Sequence, residues 1–413
     1  MISTGIERAS TALFSTIVTD QLLSTLFQPI VELDSGATVA YEALSRGPVG
    51  TAFHNPAVLF DHAHDVGQVT ELDMACWASS VRTAAEQGFT TPHSLFLNVE
   101  PASLRRARAV DVPRSPVPAV IEVTERDLMR DPGGLLAAVE RARSLGYRIA
   151  LDDLGADPAS LALLPLLMPD LIKLDMGLLR ERPNQDAARV MSAVSAHAER
   201  ANVVVLAEGI ENERQRISAL ALGATYGQGW LFGRPAAEVP NASGLAGIRF
   251  AQEQASSPTI DRTPYEVVAP TRTPRPANRS LLVQLSMFLE SRARASGDSA
   301  IVLSTFQHHT NLTSATRRRY EDLGAEAGLV TIYLAGEAGF GADSPIRVGQ
   351  INSLDPLIAE WDVVVLTADF SAVLAARELD VDNHDEGSYE FVITHDRDLA
   401  TAAALALINR PLN

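Results

Sequence analysis

Acidic and amide side chains recur where apolar segments of the N-terminal half end. The segment "YEAL" contains Glu42, "FLNV" contains Asn98, "AVIEV" contains Glu122, and "IALDD" closes on Asp152 and Asp153. The series continues with Lys173 and Asp175 in "LIKLD", Glu208 and Glu211 in "LAEGIE", and Gln228 in "GQGW". Carboxylates that gather in one cleft repel each other and raise one another's pKa unless cations neutralise them.

This set of residue types suits hard divalent cations. Such ions prefer oxygen ligands, and Mg²⁺ in particular keeps several waters. Two ions about 3.5–4 Å apart form the usual arrangement for in-line attack on a phosphate ester. Lys173 could be a structural counterion, or it could orient or deprotonate an attacking water. The pattern predicts a metal centre suited to phosphate-ester hydrolysis.

The segments that carry these residues alternate with helical patterns such as "LLAAVERARSLG". Repeated alternation of this kind predicts an α/β fold with a mostly parallel sheet. Eight apolar runs in about 230 residues favour a TIM-type (β/α)8 barrel, whose chemistry lies at the C-terminal ends of the strands. A doubly wound open sheet is disfavoured because no glycine-rich nucleotide turn follows the first strand. The eight runs are "LFQPIVEL", "TVAYEALSR", "SLFLNVE", "AVIEVTE", "YRIALDD", "LIKLD", "VVVLAEG" and "ATYGQGWLF".

Residues 18–250 resemble the EAL phosphodiesterases of bacterial cyclic di-GMP signalling. The resemblance is carried, in family order, by "FQPIV", "EALSR", "FLNV", "IEVTE", "DDLG", "IKLD", "AEGIE" and "QGWLFGRP". It implies a barrel that cleaves cyclic di-GMP to linear 5'-pGpG with two Mg²⁺ or Mn²⁺ ions, and a homodimer formed through this domain. The implied ligands of the first ion are Glu42, Asn98, Glu122 and Asp152. The implied ligands of the second are Asp153 and Glu208, with Asp152 bridging both.

The same resemblance implies roles for the other site residues. Lys173 would activate or orient the attacking water, in a catalytic set with Glu42, Asp152 and Asp153. Arg46 suits a phosphate group because its donors are forked. The implied substrate-binding residues are Gln28, Arg46, Gln228 and Pro235, together with the supporting acids Asp175 and Glu211.

The loop after the two aspartates departs from the family pattern. The family usually reads Asp-Asp-Phe-Gly-Thr-Gly-Tyr-Ser-Ser-Leu, whereas residues 152–161 read "DDLGADPASL". Asp157 replaces the second glycine, and Pro158 restricts it to extended conformations, so we expect a stiffer loop. Glu125 resembles the glutamate that anchors this loop. The alternative to hydrolysis is a weak or inactive domain that serves as a cyclic di-GMP receptor or protein-interaction module.

Composition limits the partners and the compartment. The chain has 413 residues, a formal net charge of −17 and one cysteine, Cys76. The charge argues against DNA binding, since nucleic-acid binders usually carry a basic face. One cysteine excludes an intrachain disulfide and fits a reducing compartment. No apolar stretch approaches the roughly 20 residues that span a bilayer, so we expect a cytoplasmic protein.

The C-terminal part forms a second predicted domain. Five prolines between residues 258 and 276 predict an extended linker over 251–279, preceded by the barrel (18–250) and an N-terminal extension (1–17). Residues 280–413 predict a smaller α/β unit, and "STFQHHTNLTSATRRRYEDLGAEA" resembles the DICT domain, a sensor module of bacterial signalling proteins. No catalytic set is visible there, and the signal or partner of this domain stays open.

Overall fold

The computed structural model describes residues 2–108, 114–115, 117–124, 128–154, 159–175, 185–239, 247–250, 262–341, 343–379 and 388–412. Two predicted features, the anchor Glu125 and loop residues 155–158, lie outside these ranges. The chain divides into two compact units. The first consists of Met1–Leu128, Ala137–Ala156 and Pro169–Ser256, and the second of Met129–Leu136, Asp157–Met168 and Ser257–Asn413.

The first unit contains a closed barrel of eight strands, one for each apolar run of the sequence. The TIM-type barrel prediction is therefore confirmed. The strands are β1 (Ser24–Glu32), β2 (Thr38–Arg46), β3 (Ser94–Val99), β4 (Ala119–Thr124), β5 (Arg148–Asp152), β6 (Leu171–Asp175), β7 (Val204–Glu208) and β8 (Tyr226–Gln228).

Strand β1 runs antiparallel to both of its neighbours, β2 and β8, while the other neighbouring pairs are parallel. The connection from β1 to β2 is residues 33–37, too short for the helical crossover that a parallel pair requires. Gly36 turns the chain with a φ of 71°, and its N–H donates to the Glu32 carbonyl over 2.8 Å. The hairpin sets Gln28 opposite Glu42.

In the described ranges, eight α-helices precede or separate these strands in sequence. They are α1 (Ile2–Thr19), α2 (Pro56–Asp65), α3 (Val69–Glu86), α4 (Pro101–Arg106), α5 (Pro132–Ser144), α6 (Ala159–Leu167), α7 (Gln185–Ala201) and α8 (Glu213–Ala221). Of these, α6 and the first turn of α5 belong to the second unit. The predicted N-terminal extension falls almost entirely within α1, whose Phe14 and Ile17 are buried in a cluster with Leu59, Leu72 and Cys76. Cys76 thus acts as a core side chain.

The second unit is a seven-stranded sheet with helices. Its strands are β9 (Arg275–Asn278), β10 (Ile301–His308), β11 (Leu329–Ala335), β12 (Arg347–Gln350), β13 (Glu360–Leu366), β14 (Ser371–Glu378) and β15 (Ser388–Thr394). Their order is β12-β11-β10-β13-β14-β15-β9. The helices are α9 (Pro264–Val268), α10 (Arg279–Ser296), α11 (Ser314–Glu326) and α12 (Arg397–Ile408).

Part of the segment predicted as linker is ordered into elements of this unit. Helix α9 begins with Pro264, whose missing N–H costs nothing at a first helical position. A capping box between Thr263 and Glu266 closes its start. Strand β9 contains Pro276 and pairs with β15 at the edge of the sheet, where a strand tolerates proline. The prolines therefore did not predict the ordered elements that begin after residue 262.

Candidate metal centre

The site residues form the second inner layer of the barrel. One buried core cluster contains an apolar residue from each strand: Ile30, Ala40, Phe96, Val120, Ala150, Leu171, Leu206 and Tyr226. Side chains two positions apart on a strand point to the same face. The residues two positions further toward the barrel mouth are Gln28, Glu42, Asn98, Glu122, Asp152, Lys173, Glu208 and Gln228. On β1 the step is backward because that strand is antiparallel.

Lys173 lies at the centre of this layer and is 1% exposed. Its Nζ is 2.6 Å from Glu122 Oε1, 2.7 Å from Glu208 Oε1 and 3.1 Å from Asp152 Oδ1. A fourth carboxylate oxygen, Glu42 Oε1, is 3.9 Å away. One ammonium group therefore faces four carboxylates, and the cluster has a surplus of negative charge unless protons or cations join it.

Amide side chains hold Glu42 in place. Asn98 Nδ2 donates to Glu42 Oε1 over 2.7 Å, and Gln228 Nε2 donates to Glu42 Oε2 over 2.6 Å. Gln28 accepts a longer bond of 3.3 Å from Gln228 and donates to the Gly233 carbonyl over 3.2 Å. Strands β2, β3 and β8 thus meet at the Glu42 carboxylate, and β1 joins them through the bond between Gln28 and Gln228.

The two adjacent aspartates both contribute to one oxygen cluster. Asp153 adopts a left-handed φ of 56°, an uncommon conformation for a residue other than glycine but one that Asp tolerates. Its N–H donates to Asp152 Oδ1 over 3.0 Å. Because the backbone turns here, the two side chains do not point to opposite faces as they would along a strand. Ligand oxygens of Asp152, Asp153 and Glu208 all lie within 4.8 Å of one another.

Burial and neighbouring charges shift the pKa values of these side chains in different directions. Burial, reinforced by nearby carboxylates, raises the pKa of Glu122 well above its usual value. Burial also raises the pKa of Glu208, against the attraction of Lys173. Asp152 goes the other way: burial acts to raise its pKa, but the Lys173 ammonium and hydrogen bonds outweigh it and lower the pKa. Burial acts to lower the pKa of Lys173, yet its carboxylate neighbours raise it well above 10.5.

The residues present fit divalent cations. Both carboxylate oxygens of Glu122 and Oε1 of Glu208 are buried without a hydrogen bond of suitable geometry, although Lys173 Nζ lies close to each side chain. A buried carboxylate that lacks full compensation is costly, and cation coordination removes that cost. The oxygen-only donor set matches the preference of Mg²⁺ and Mn²⁺.

The other predicted site residues lie around this cluster. Arg46 lines, with Glu42 and Asn98, a cavity of about 350 Å³. Burial and the adjacent Asp152 raise the pKa of Asp153, and the charge of Asp175 adds to this rise, so Asp175 and Asp153 are neighbours. Glu211 is exposed, and its N–H donates to Gln215 over 2.7 Å. Pro235 is half-buried, two residues after the Gly233 carbonyl that Gln28 contacts. Its predicted contact with substrate stays a prediction.

Comparison with protein-family models shows to which family this chain belongs. The model described as "EAL domain" matches residues 10–235. The chain belongs to the EAL-domain family. A second model, described as "Sensory domain in DIguanylate Cyclases and Two-component system", matches residues 265–379. Both predicted resemblances, EAL and DICT, are confirmed.

Curated relatives of the EAL domain include named phosphodiesterases. The chain is 30% identical over 227 residues to "Cyclic di-GMP phosphodiesterase RocR" of Pseudomonas aeruginosa, covering 51% of this chain and 57% of that protein. It is 28% identical over 197 residues to "Cyclic di-GMP phosphodiesterase PdeF" of Escherichia coli, covering 45% of this chain and 26% of that protein. The chain therefore spans well under two thirds of these relatives' lengths.

Solved structures with EAL domains are also similar. The "PaMucR Phosphodiesterase, c-di-GMP complex" is 26% identical with a TM-score of 0.45, covering 52% of this chain and 97% of that one. A Klebsiella pneumoniae BlrP1 manganese/cy-diGMP complex is 25% identical with a TM-score of 0.47, covering 53% and 57%. Across the described part of the chain, no helix has both the length and the apolar character needed to cross a membrane.

The sequence analysis missed Asp73, and it singled out Lys173 without using the lysine count. Lys173 is the only lysine in the chain, since the other 33 basic residues are arginines, and this count alone marks it. Asp73 lies on α3 within an apolar helical stretch, lines the cavity beside Glu42 and is 1% exposed. Burial raises the pKa of Asp73 to about 7. No spacing rule links Asp73 to the strand-end series, so only the fold could reveal it.

Proposed function

We propose that the EAL barrel hydrolyses cyclic di-GMP to linear 5'-pGpG with two Mg²⁺ or Mn²⁺ ions. The observation that carries this proposal is the inner layer in which one ammonium faces four carboxylates beside an open cavity. Relatives named as cyclic di-GMP phosphodiesterases support the choice of substrate. The proposed ion ligands are Glu42, Asn98, Glu122, Asp152, Asp153 and Glu208.

In this reaction water adds to one phosphorus and the bond to the 3' oxygen breaks. The product keeps a 5'-phosphate and gains a 3'-hydroxyl. Bound divalent cations would supply activation of the nucleophile and compensation of charge on the phosphate. Burial acts to lower the pKa of Lys173, but its carboxylate neighbours raise it, so in the metal-free barrel the ammonium group is a donor that can orient water. Asp152 has a lowered pKa and is therefore ionised, as a carboxylate ligand of a metal ion must be.

The substrate brings two negative phosphates to an acidic barrel mouth, so its binding needs positive partners. We assign this role to the bound cations and to Arg46, whose side chain lines the cavity and already donates to the Ser45 carbonyl over 2.8 Å. Gln28, Gln228, Asp175, Glu211 and Pro235 complete the proposed substrate-binding set. Regulation by residues 280–413 and dimerisation through the barrel are part of the same proposal.

Incubation of the purified chain with cyclic di-GMP and Mn²⁺ or Mg²⁺, followed by chromatography, tests the activity. We expect linear 5'-pGpG from the parent protein and a loss of about 10³-fold in Glu42→Ala, because one carboxylate fixes two strands and an ion. Glu213→Ala is the matched control, since Glu213 is an exposed glutamate of α8 paired with Arg216. Intact nucleotide despite measurable binding would instead favour the receptor alternative suggested by Asp157 and Pro158.

A further inference from the structure

The second unit contains a cavity of about 320 Å³ that the phosphodiesterase reaction does not use. Residues from α10, α11, β10 and β13 line it. Its volume is at the lower end of the range of about 300–1,000 Å³ that is typical of small-molecule sites. The cavity is therefore large enough for a small organic ligand.

Polar side chains are built into the wall of this cavity. Ser304 and Thr305 are 0% and 1% exposed, and Gln307 is 7% exposed. Ser304 accepts from the Tyr320 hydroxyl over 2.8 Å, and Thr305 donates to the buried Asp362 over 3.0 Å. These hydrogen bonds satisfy the buried hydroxyl groups and fix them in the wall of the cavity.

The backbone of Gln307, at the wall of the cavity, has an unusual conformation. It has a left-handed φ of 55° at a register shift of β10, and side chains other than glycine rarely adopt this conformation. Strained backbone of this kind persists only where the surroundings impose it, and it is frequent at ligand sites. Asn311 imposes it here by donating to the Phe306 carbonyl over 3.1 Å and to Gln307 Oε1 over 3.2 Å.

The charges around the cavity favour an anion. Arg319 is paired with the buried Glu290, so these two charges cancel. Arg279 also lines the cavity, and among the described residues no carboxylate lies within ion-pair distance of it. It donates to Asn311 Oδ1 over 3.3 Å and interacts with Tyr389. Among the described residues, the exposed guanidinium group of Arg279 thus has no carboxylate partner.

Aromatic rings supply the rest of the wall. The Arg279 guanidinium lies 5.5 Å from the centre of the Trp361 ring, and Phe306 packs edge-on against Tyr320 at 5.1 Å. Flat rings beside an uncompensated guanidinium suit a ligand that joins a flat ring to a negative group. We propose that this cavity binds a small aromatic carboxylate, with its ring among Trp361 and Phe306 and its carboxylate toward Arg279.

Calorimetric titration of the full chain with indole-3-acetate, phenylacetate and inorganic phosphate tests this site. We expect saturable binding of at least one aromatic acid and binding about tenfold weaker for indole-3-acetamide, which has the same ring but no charge. Arg279→Gln should weaken the acid about tenfold. Arg292→Gln is the matched control, because Arg292 is exposed on the same helix and lies over Phe370.

A second pair of variants tests the location without removing a charge. Ala315 is an exposed residue of α11 at the cavity, whereas the adjacent Ser314 does not line it. Ala315→Trp should abolish binding and Ser314→Trp should preserve it, with thermal unfolding confirming that both are folded. Equal affinity for acid and amide, binding unaffected by both Arg279→Gln and Ala315→Trp, or no heat from either aromatic acid would overturn the proposal. Phosphate binding as tightly as the acids would show a simple anion site instead.

Discussion

Removal of the single lysine should destabilise the barrel in a manner that depends on pH and metal. In Lys173→Met the carboxylates at 2.6, 2.7 and 3.1 Å lose their only counter-charge among the described residues. Breaking a buried ion pair by deleting one partner costs about 3–5 kcal/mol. We therefore expect the free energy of unfolding of the metal-free protein to fall by about 3–5 kcal/mol at pH 8.

Lowering the pH should restore most of the free energy of unfolding that Lys173→Met loses. Without the ammonium, the pKa values of Glu122 and Glu208 rise further above those of the unfolded chain. A carboxyl group with a raised pKa stabilises the fold below its unfolded pKa and loses that contribution as the pH rises through the folded pKa. If folding takes up one extra proton, stability changes by about 1.4 kcal/mol per pH unit, or about 4 kcal/mol between pH 8 and pH 5. The deficit should therefore shrink to about 1 kcal/mol or less at pH 5.

Urea denaturation of the full chain, followed by circular dichroism at both pH values, measures the deficit. Mn²⁺ at 100 times its dissociation constant should return about 2.7 kcal/mol, because it binds only the folded site. Arg294→Met, at the exposed ion pair with Glu326, is the control and should change stability by less than about 0.5 kcal/mol. An equal deficit at pH 5 and pH 8, or none at pH 8, would refute the electrostatic account of Lys173.

Two further predictions concern protonation. Burial raises the pKa of Asp73 from 3.8 to about 7, so its carboxyl stabilises the fold below pH 3.8 and this contribution is lost as the pH rises through 7. Asp73→Asn should therefore stabilise the protein by up to about 4 kcal/mol at pH 8 and change little at pH 4, as measured by urea denaturation; a constant effect would contradict this. Because burial raises the pKa of Glu122 and Glu208, Mn²⁺ must displace protons, and calorimetry should show tighter binding at pH 8 than at pH 6. Equal affinity would show that these acids are not ligands.

Much of the fold follows from local pattern. Each barrel strand is an apolar run that ends at a polar residue. Such runs can be recognised in the sequence because both faces of a parallel barrel strand are covered, so most of its residues are apolar. Three strands of the second unit lack this signal. Strands β9 and β12 have four residues each, and β14, "SAVLAARE", is alanine-rich with little β-propensity. Pairing with neighbouring strands, and not local preference, makes them strands.

The sequence by itself placed the acids, amides and lysine at strand ends, because alternation along a strand is a local property. Only the tertiary structure decided how they share protons and contacts. Asp152 has a lowered pKa and Glu208 a raised one, although both end barrel strands and both lie beside Lys173. Burial acts to raise both pKa values, but Lys173 and the hydrogen bonds that Asp152 receives outweigh it there, whereas the hydrogen bond to Asp152 raises the pKa of Glu208 further. Asp73 and the cavity beside Trp361 likewise arise from segments distant in sequence. Electrostatic energy depends on the distance between charges and on their access to water, and the spacing of residues along the sequence determines neither.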